Sequence, residues 1–185
     1  VVRVRTYRLQ NGQAIPLGQV ESTGGDSFGF DMSMSGSELA ILNARKGLLF
    51  SSSQGTIFLY DLSKETIRQT ATLSVPMADG DSFSFGNVMM EGDRLLVTKS
   101  APPGAGVVSF KRTTTGWLLT SETKHPELST LGPWGGRIVA EGNALVLRNS
   151  FGTELYTASE PVRFVRKLLT ERPDSVATSA DTAMI

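Results

Sequence analysis

An internal repeat limits the possible folds of this sequence more than any other feature. Three segments contain, in the same order, an aromatic residue followed by glycine, a short apolar strand, a tight turn and a second apolar strand. The three aromatic–glycine pairs are Phe28-Gly29, Phe85-Gly86 and Trp134-Gly135. Two further apolar stretches follow in each segment, the first of them beginning at Gly55, Gly106 or Gly152. Four strands in a unit of about 50 residues are typical of one blade of a β-propeller.

The repeat also predicts how the chain is divided. The N-terminal stretch matches the third and fourth strands of a unit, joined by a hairpin turn at Asn11-Gly12, because this dipeptide favours the type I′ turn. The C-terminal stretch is rich in Ser, Thr, Ala and Asp, which indicates an extended tail or a segment ordered along a partner. The predicted units are a half blade at 1–22, blades at 23–77, 78–128 and 129–169, and the tail at 170–185.

The apolar runs are short and are separated by Gly, Asn, Asp, Ser or Pro, which is typical of strands and turns. Residues 2–7 alternate between apolar and polar, as in a half-buried strand, and residues 56–62 form a nearly continuous apolar run. Residues 161–172 fit a helix, through Val162 and Val165, and equally fit a strand. We therefore expect an all-β fold, a β-propeller-like array of four-stranded antiparallel blades that is partial or incomplete.

Several of these segments resemble a known repeat family. Residues 25–29 (GDSFG) and 84–86 (SFG), each followed by a glycine turn and an apolar strand, resemble the FG-GAP-like repeats of integrin-α-like and secreted β-propellers. Residues 101–104 (APPG) lie where that family has a Gly-Ala-Pro loop. The likeness covers residues 1–169, and the third unit departs from it by carrying Trp134 in place of phenylalanine. The resemblance implies a propeller and favours an extracellular or organelle-lumen location.

Composition excludes several classes of function. The chain of 185 residues has 18 basic and 18 acidic residues, and we expect no nucleic-acid partner because such binders carry a basic excess. The absence of cysteine excludes thiolate metal sites and cysteine nucleophiles, and a single histidine excludes a multi-histidine metal site. No apolar run approaches the roughly 18–20 residues of a membrane-spanning helix. The first residue is Val1 rather than methionine, so we expect a processed or excerpted chain.

Two places hold residue types that carry chemistry. Residues 79–82 (DGDS) resemble the calcium loops of integrin-type repeats, but no third acid follows before Glu91, so a turn is the better interpretation. His125 is the one candidate imidazole base, and it lies in a loop interrupted by Pro126, with no nucleophile elbow in the sequence. We therefore expect no catalytic residue, no metal site and no cofactor.

Two groups of basic residues are candidate contacts for an acidic protein partner or for the anionic lipid of a membrane complex. They are Arg3, Arg5 and Arg8 in the first strand, and Arg163, Arg166 and Lys167 near the end of the third unit. The alternative is that both groups are solvated strand faces.

An incomplete propeller leaves uncovered blade faces that are apolar by construction. We therefore expect the chain to be part of a larger propeller or to pack against other protein subunits, as a non-catalytic scaffold or binding module for a protein or glycan. The alternative is a propeller-type hydrolase or lyase, whose channel active site needs Asp, Glu or His on the inner strands. The inner positions here are mostly apolar, Ser or Met, among them Met32, Met34, Met89 and Met90. This composition favours the binding module.

Overall fold

A computed structural model describes residues 2–22, 28–44, 55–64, 66–76, 87–99, 106–124, 137–141, 143–149, 152–169, 177–179 and 182–184. None of these residues is helical, which confirms the all-β prediction for the described part of the chain. The strands are β1 (Arg3–Gln10), β2 (Gln13–Glu21), β3 (Phe28–Ser35), β4 (Glu38–Ala44), β5 (Gly55–Asp61), β6 (Arg68–Val75), β7 (Val88–Glu91), β8 (Arg94–Lys99), β9 (Gly106–Thr113), β10 (Gly116–Lys124), β11 (Arg137–Glu141), β12 (Ala144–Asn149), β13 (Gly152–Thr157), β14 (Arg163–Leu169), β15 (Ala177–Ser179) and β16 (Thr182–Met184). Within these residues no helix is long and apolar enough to cross a membrane.

The strands form three four-stranded antiparallel sheets and two strand pairs, in which neighbours in space are neighbours in sequence. We name them sheet 1 (β3–β6), sheet 2 (β7–β10), sheet 3 (β11–β14), the N-terminal pair (β1–β2) and the C-terminal pair (β15–β16). Each four-stranded sheet lies within one of the units expected from the sequence repeat. The C-terminal pair lies within the segment expected to be an extended tail.

Turn chemistry accounts for the N-terminal pair. Asn11 has φ 50° and Gly12 has φ 77°, so both central residues adopt the left-handed backbone that a type I′ hairpin requires. This is the hairpin expected from the Asn-Gly dipeptide. At the other end of the chain, β14 shows that residues 161–172, which fit both a helix and a strand, contain a strand.

Apolar side chains fill the space between consecutive sheets. The cluster between sheets 1 and 2 includes Ala40, Leu59, Val88 and Leu95. The cluster between sheets 2 and 3 includes Leu96, Val107, Ile138 and Leu145. A third cluster between the N-terminal pair and sheet 1 includes Val4, Val20, Leu39 and Ile41. The sheets therefore pack face to face in chain order, and sheets 1 and 2 bury apolar residues on both faces.

The first strands of sheets 1 and 2 are also joined by side-chain hydrogen bonds. On β3, Asp31 Oδ2 accepts the backbone N–H of Val88 at 2.7 Å and the side-chain N–H of Asn87 at 3.2 Å. Ser33 Oγ accepts the backbone N–H of Met90 at 2.8 Å. The bonds from Val88 and Met90 satisfy backbone N–H groups of β7 that face no partner strand among the described residues.

Candidate functional site

An open groove lies between β1 of the N-terminal pair and β3 of sheet 1. Its volume is about 730 Å³, and its walls include Val4, Arg8, Leu17, Met32, Met34 and Leu39. Most of these side chains are apolar, and no acidic residue occurs among the described residues that line the groove. A concave, mostly apolar surface with a few polar groups is the usual form of a binding site. We refer to this feature as the open groove.

The tight turns show which residues of the three sheets correspond. In every four-stranded sheet two residues separate the first strand from the second, and the residues that flank them pair with each other. These pairs are Ser35 with Glu38, Glu91 with Arg94, and Glu141 with Ala144. The residues one position before the first member of each pair therefore correspond, and they are Met34, Met90 and Ala140. The residues three positions before it also correspond, and they are Met32, Val88 and Ile138.

Interstrand contacts agree with this correspondence. Ser33 Oγ accepts the N–H of Met90. One unit later, Met89 Sδ occupies the place of the serine oxygen and lies 3.1 Å from the amide nitrogen of Ala140. Corresponding residues of consecutive sheets therefore make corresponding contacts, and their burial can be compared directly.

Met32 and Met34 form the floor of the open groove, and they differ in burial from the corresponding residues of sheet 2. Met32 and Met34 are 47% and 56% exposed, whereas Val88 and Met90 are 5% and 4% exposed. The difference has a simple cause. Sheet 1 covers the face of sheet 2 that carries Val88 and Met90, while only the two-stranded N-terminal pair lies on the corresponding face of sheet 1. The open groove is thus the space that the first two strands of a preceding sheet would fill.

The wall formed by β1 has a free edge. β1 pairs with β2 along one side, and no other described strand pairs with its second side. Tyr7 and Leu9 are both exposed on this strand. An exposed strand edge beside an apolar face is a template for the addition of another strand.

The basic residues of the first strand lie in different surroundings. Arg3 Nε lies 2.8 Å from Glu21 Oε1, and both side chains are largely exposed, so this ion pair contributes little stability. Arg5 and Arg8 line the open groove. Because no described acidic residue lines it, the open groove favours a neutral or anionic occupant.

The second basic group lies elsewhere. Arg163, Arg166 and Lys167 are exposed on β14, the last strand of sheet 3, and none of them lines the open groove. The groove therefore unites only part of the basic residues that the sequence singles out.

The first aromatic–glycine pair lies at the edge of the contact with the N-terminal pair. Phe28 is buried, with its ring centre 5.8 Å from that of Phe58. Gly29 has φ 75°, and a Cβ built on it would lie 3.2 Å from Val4 Cγ2, so glycine permits both the backbone and the close approach. The register of β3 shifts between Phe28 and Asp31. The other two aromatic–glycine pairs, Phe85-Gly86 and Trp134-Gly135, lie outside the described residues.

The described residues contain no group of three or more His, Cys, Asp or Glu side chains that could hold a metal ion. His125 and residues 79–82 lie outside the described part of the chain. The most perturbed described group is Tyr156, whose hydroxyl lies 3.1 Å from Glu154 Oε2. Burial, followed by the nearby Glu154 carboxylate, raises the pKa of Tyr156 well above its usual value. Both side chains are buried in sheet 3, away from the open groove.

The sequence predicted Arg5 and Arg8 as partner contacts and Met32 and Met34 only as apolar inner positions, and it assigned Tyr7 no role. A signal for Tyr7 is present in the sequence, because the third strand of each complete sheet carries an aromatic residue four or five positions after its first residue. These residues are Tyr60, Phe110 and Tyr156. Tyr7 has the same place in β1.

Comparison of the sequence with known protein families finds no family model that matches. Comparison with curated proteins finds no significant match.

Proposed function

We propose that this chain is a non-catalytic scaffold or binding module, built of β-propeller-like, FG-GAP-like repeats, that binds another protein segment in the open groove. The observation that carries the proposal is the exposure of Met32 and Met34 at positions where the next unit buries Val88 and Met90. Contiguous exposed apolar surface of this kind marks interaction sites in soluble proteins. The type of side chain also supports binding, because methionine is flexible and adapts to the shape of a partner.

The geometry supports a protein segment rather than a small molecule. The open groove is lined along β1 by residues 4–8, and it combines an apolar floor with a strand edge that pairs with no other described strand. Backbone N–H and C=O groups on such an edge give affinity, and the alternate side chains beside it give specificity. Arg5 and Arg8 add attraction for an occupant without positive charge.

A test of the proposal uses the dye 8-anilinonaphthalene-1-sulfonate, which is apolar and anionic like the expected occupant. The dye is titrated into the full chain at the lowest concentration that permits detection, so that self-association does not cover the groove. We expect M32S/M34S to lower the bound fluorescence several-fold, since it removes the apolar floor. The matched control is L118S/L119S, which alters two exposed leucines on β10 that do not line the groove.

The proposal fails if the two double variants have equal effects, or if neither changes the fluorescence. Near-ultraviolet circular dichroism of each variant verifies that its packing is native, because loosely packed states bind the same dye.

A further inference from the structure

The C-terminal pair has the form of the first half of a sheet. Two residues separate its strands in the sequence, and Ser179 lies opposite Thr182, as Glu91 lies opposite Arg94 in sheet 2. β15 lies against β11 and β12, just as β7 lies against β3 and β4. Aligned on these pairs, residues 176–185 (VATSADTAMI) and residues 88–97 (VMMEGDRLLV) share Val176 with Val88 and Asp181 with Asp93. The C-terminal pair is therefore the first two strands of a further unit.

The N-terminal pair has the form of the second half of a sheet. In each complete sheet the register between the third and fourth strands shifts immediately before the aromatic residue of the third strand. These aromatic residues are Tyr60, Phe110 and Tyr156. In the N-terminal pair the register shifts between Thr6 and Tyr7. A bulge at the same position, followed by the same residue type, identifies β1 and β2 as a third and a fourth strand.

The two halves are complementary, and the complete sheets fix how they would pair. In all three sheets the aromatic residue lies opposite a leucine, the second residue of the second strand. The pairs are Tyr60 with Leu39, Phe110 with Leu95, and Tyr156 with Leu145. In β16 the second residue is Ala183. The repeat thus places Ala183 opposite Tyr7 and Thr182 opposite Arg8.

We propose that the C-terminal pair of a second copy of this chain fills the open groove, with β16 of one copy antiparallel to β1 of the other. The proposal rests on the proposed function and names its partner. In the structure the two pairs are separate sheets, so the chain's own C-terminal pair does not occupy its open groove. A second copy completes the sheet without moving the C-terminal pair from β11 and β12.

Reciprocal exchange between two copies gives a closed assembly. The described residues of the two copies contain six complete four-stranded sheets, and the exchange adds two composite ones. Closure matters because a head-to-tail contact that does not close produces filaments. The expected particle is a dimer with no free edge at β1 or β16.

The dimer also accounts for Tyr7, which lies on the other face of β1 from Val4. Tyr7 is 51% exposed, whereas the corresponding Tyr156 is 1% exposed in the cluster between sheets 2 and 3. Tyr156 is covered because its sheet packs on the preceding sheet. In the dimer, the sheet that precedes the N-terminal pair is sheet 3 of the other copy. This sheet would cover Tyr7 in the same way.

The test uses single-cysteine variants, because the natural chain has no cysteine. R8C chains are mixed with T182C chains in a glutathione buffer, so that a disulfide between the two positions can form only between copies. Residues directly opposite in an antiparallel ladder have Cα atoms about 4.5–5.5 Å apart, which suits a disulfide. The matched control is R8C mixed with S179C, because Ser179 lies opposite Thr182 on β15, one strand farther from β1.

We expect the R8C and T182C mixture to form at least about tenfold more covalent dimer than the control, since paired strands hold the thiols at millimolar effective concentration. Light scattering of the unaltered chain should give a mass near twice 19.9 kDa that falls on dilution. The urea midpoint of each variant verifies that it folds.

Two results would overturn the inference. If R8C/T182C in one chain forms an internal disulfide while the mixture forms none, the chain's own C-terminal pair fills the groove. If neither forms a disulfide, this segment is not the occupant. The dye titration remains an independent measurement, so a loss of dye binding in M32S/M34S without cross-linking would retain the groove as a binding site and reject only this partner.

Discussion

The same substitution at two corresponding positions should have very different effects on stability. Met90 and Met34 occupy equivalent places before the tight turns of sheets 2 and 1, but Met90 is 4% exposed and Met34 is 56% exposed. Complete burial of a methionine side chain contributes about 1.5–3 kcal/mol, and the cavity left by its removal adds to the loss. We expect Met90→Ala to lower the free energy of unfolding by about 3 kcal/mol and Met34→Ala by about 1 kcal/mol or less.

The measurement is urea unfolding followed by far-ultraviolet circular dichroism, at a chain concentration where light scattering gives a monomer. An unchanged slope of the free energy against urea verifies that neither variant alters the denatured state. Equal losses for the two variants, within about 0.5 kcal/mol, would refute the correspondence and the uncovered face inferred from it.

Two further predictions concern the sheets. Asp31→Ala removes the acceptor of the Val88 N–H and of the Asn87 side chain. We therefore expect it to lower the free energy of unfolding by about 1–3 kcal/mol in the same urea assay. Asp31→Asn keeps an acceptor oxygen, so it should recover part of this loss. The raised pKa of Tyr156 favours its neutral form in the folded chain, so its contribution to stability is present below pH 10 and is lost as the pH rises above the unfolded value of 10.0. Tyr156→Phe should therefore flatten the fall of the urea midpoint above pH 10, and an equally steep fall in the variant would contradict the assignment.

The strands and their grouping were predictable because both are written locally in the sequence. Short apolar runs separated by turn residues predict strands, and the repeat predicts that four of them form a unit. The type I′ turn at Asn11-Gly12 needs only the dipeptide itself. None of these features depends on which sheet packs against which.

The ambiguity at residues 161–172 has an identifiable physical cause. The register between β13 and β14 shifts twice, and the residues of β14 that fall at these shifts are Val165 and Leu168. A bulge adds one residue to a strand and breaks its alternation. In this stretch the two shifts space the apolar residues as on a helix, so periodicity alone could not identify the strand.

The open groove was not predictable in detail because it depends on contacts between distant parts of the chain. The sequence indicated that an incomplete propeller exposes apolar faces, but not which face or which residues. The hydrogen bonds from Val88 and Met90 to Asp31 and Ser33 likewise join residues that no local pattern connects. The recurring aromatic of the third strand was the one unused signal, and it leads to Tyr7.

The two sheet boundaries suggest why the uncovered face of sheet 1 is apolar, although other contacts between the sheets differ in polarity. Between sheets 1 and 2 the first strands are joined by Asp31 and Ser33, whereas at the next boundary Met89 replaces the serine acceptor. The side of β3 and β7 that contacts the first strand of the following sheet therefore carries both polar and apolar groups. On the opposite side, Val88, Met90, Ile138 and Ala140 are apolar without exception, because they enter the core between sheets. Met32 and Met34 are likewise apolar, although both side chains are exposed. A face that obeys the rule for buried positions is best explained by a sheet that covers it in the assembled protein.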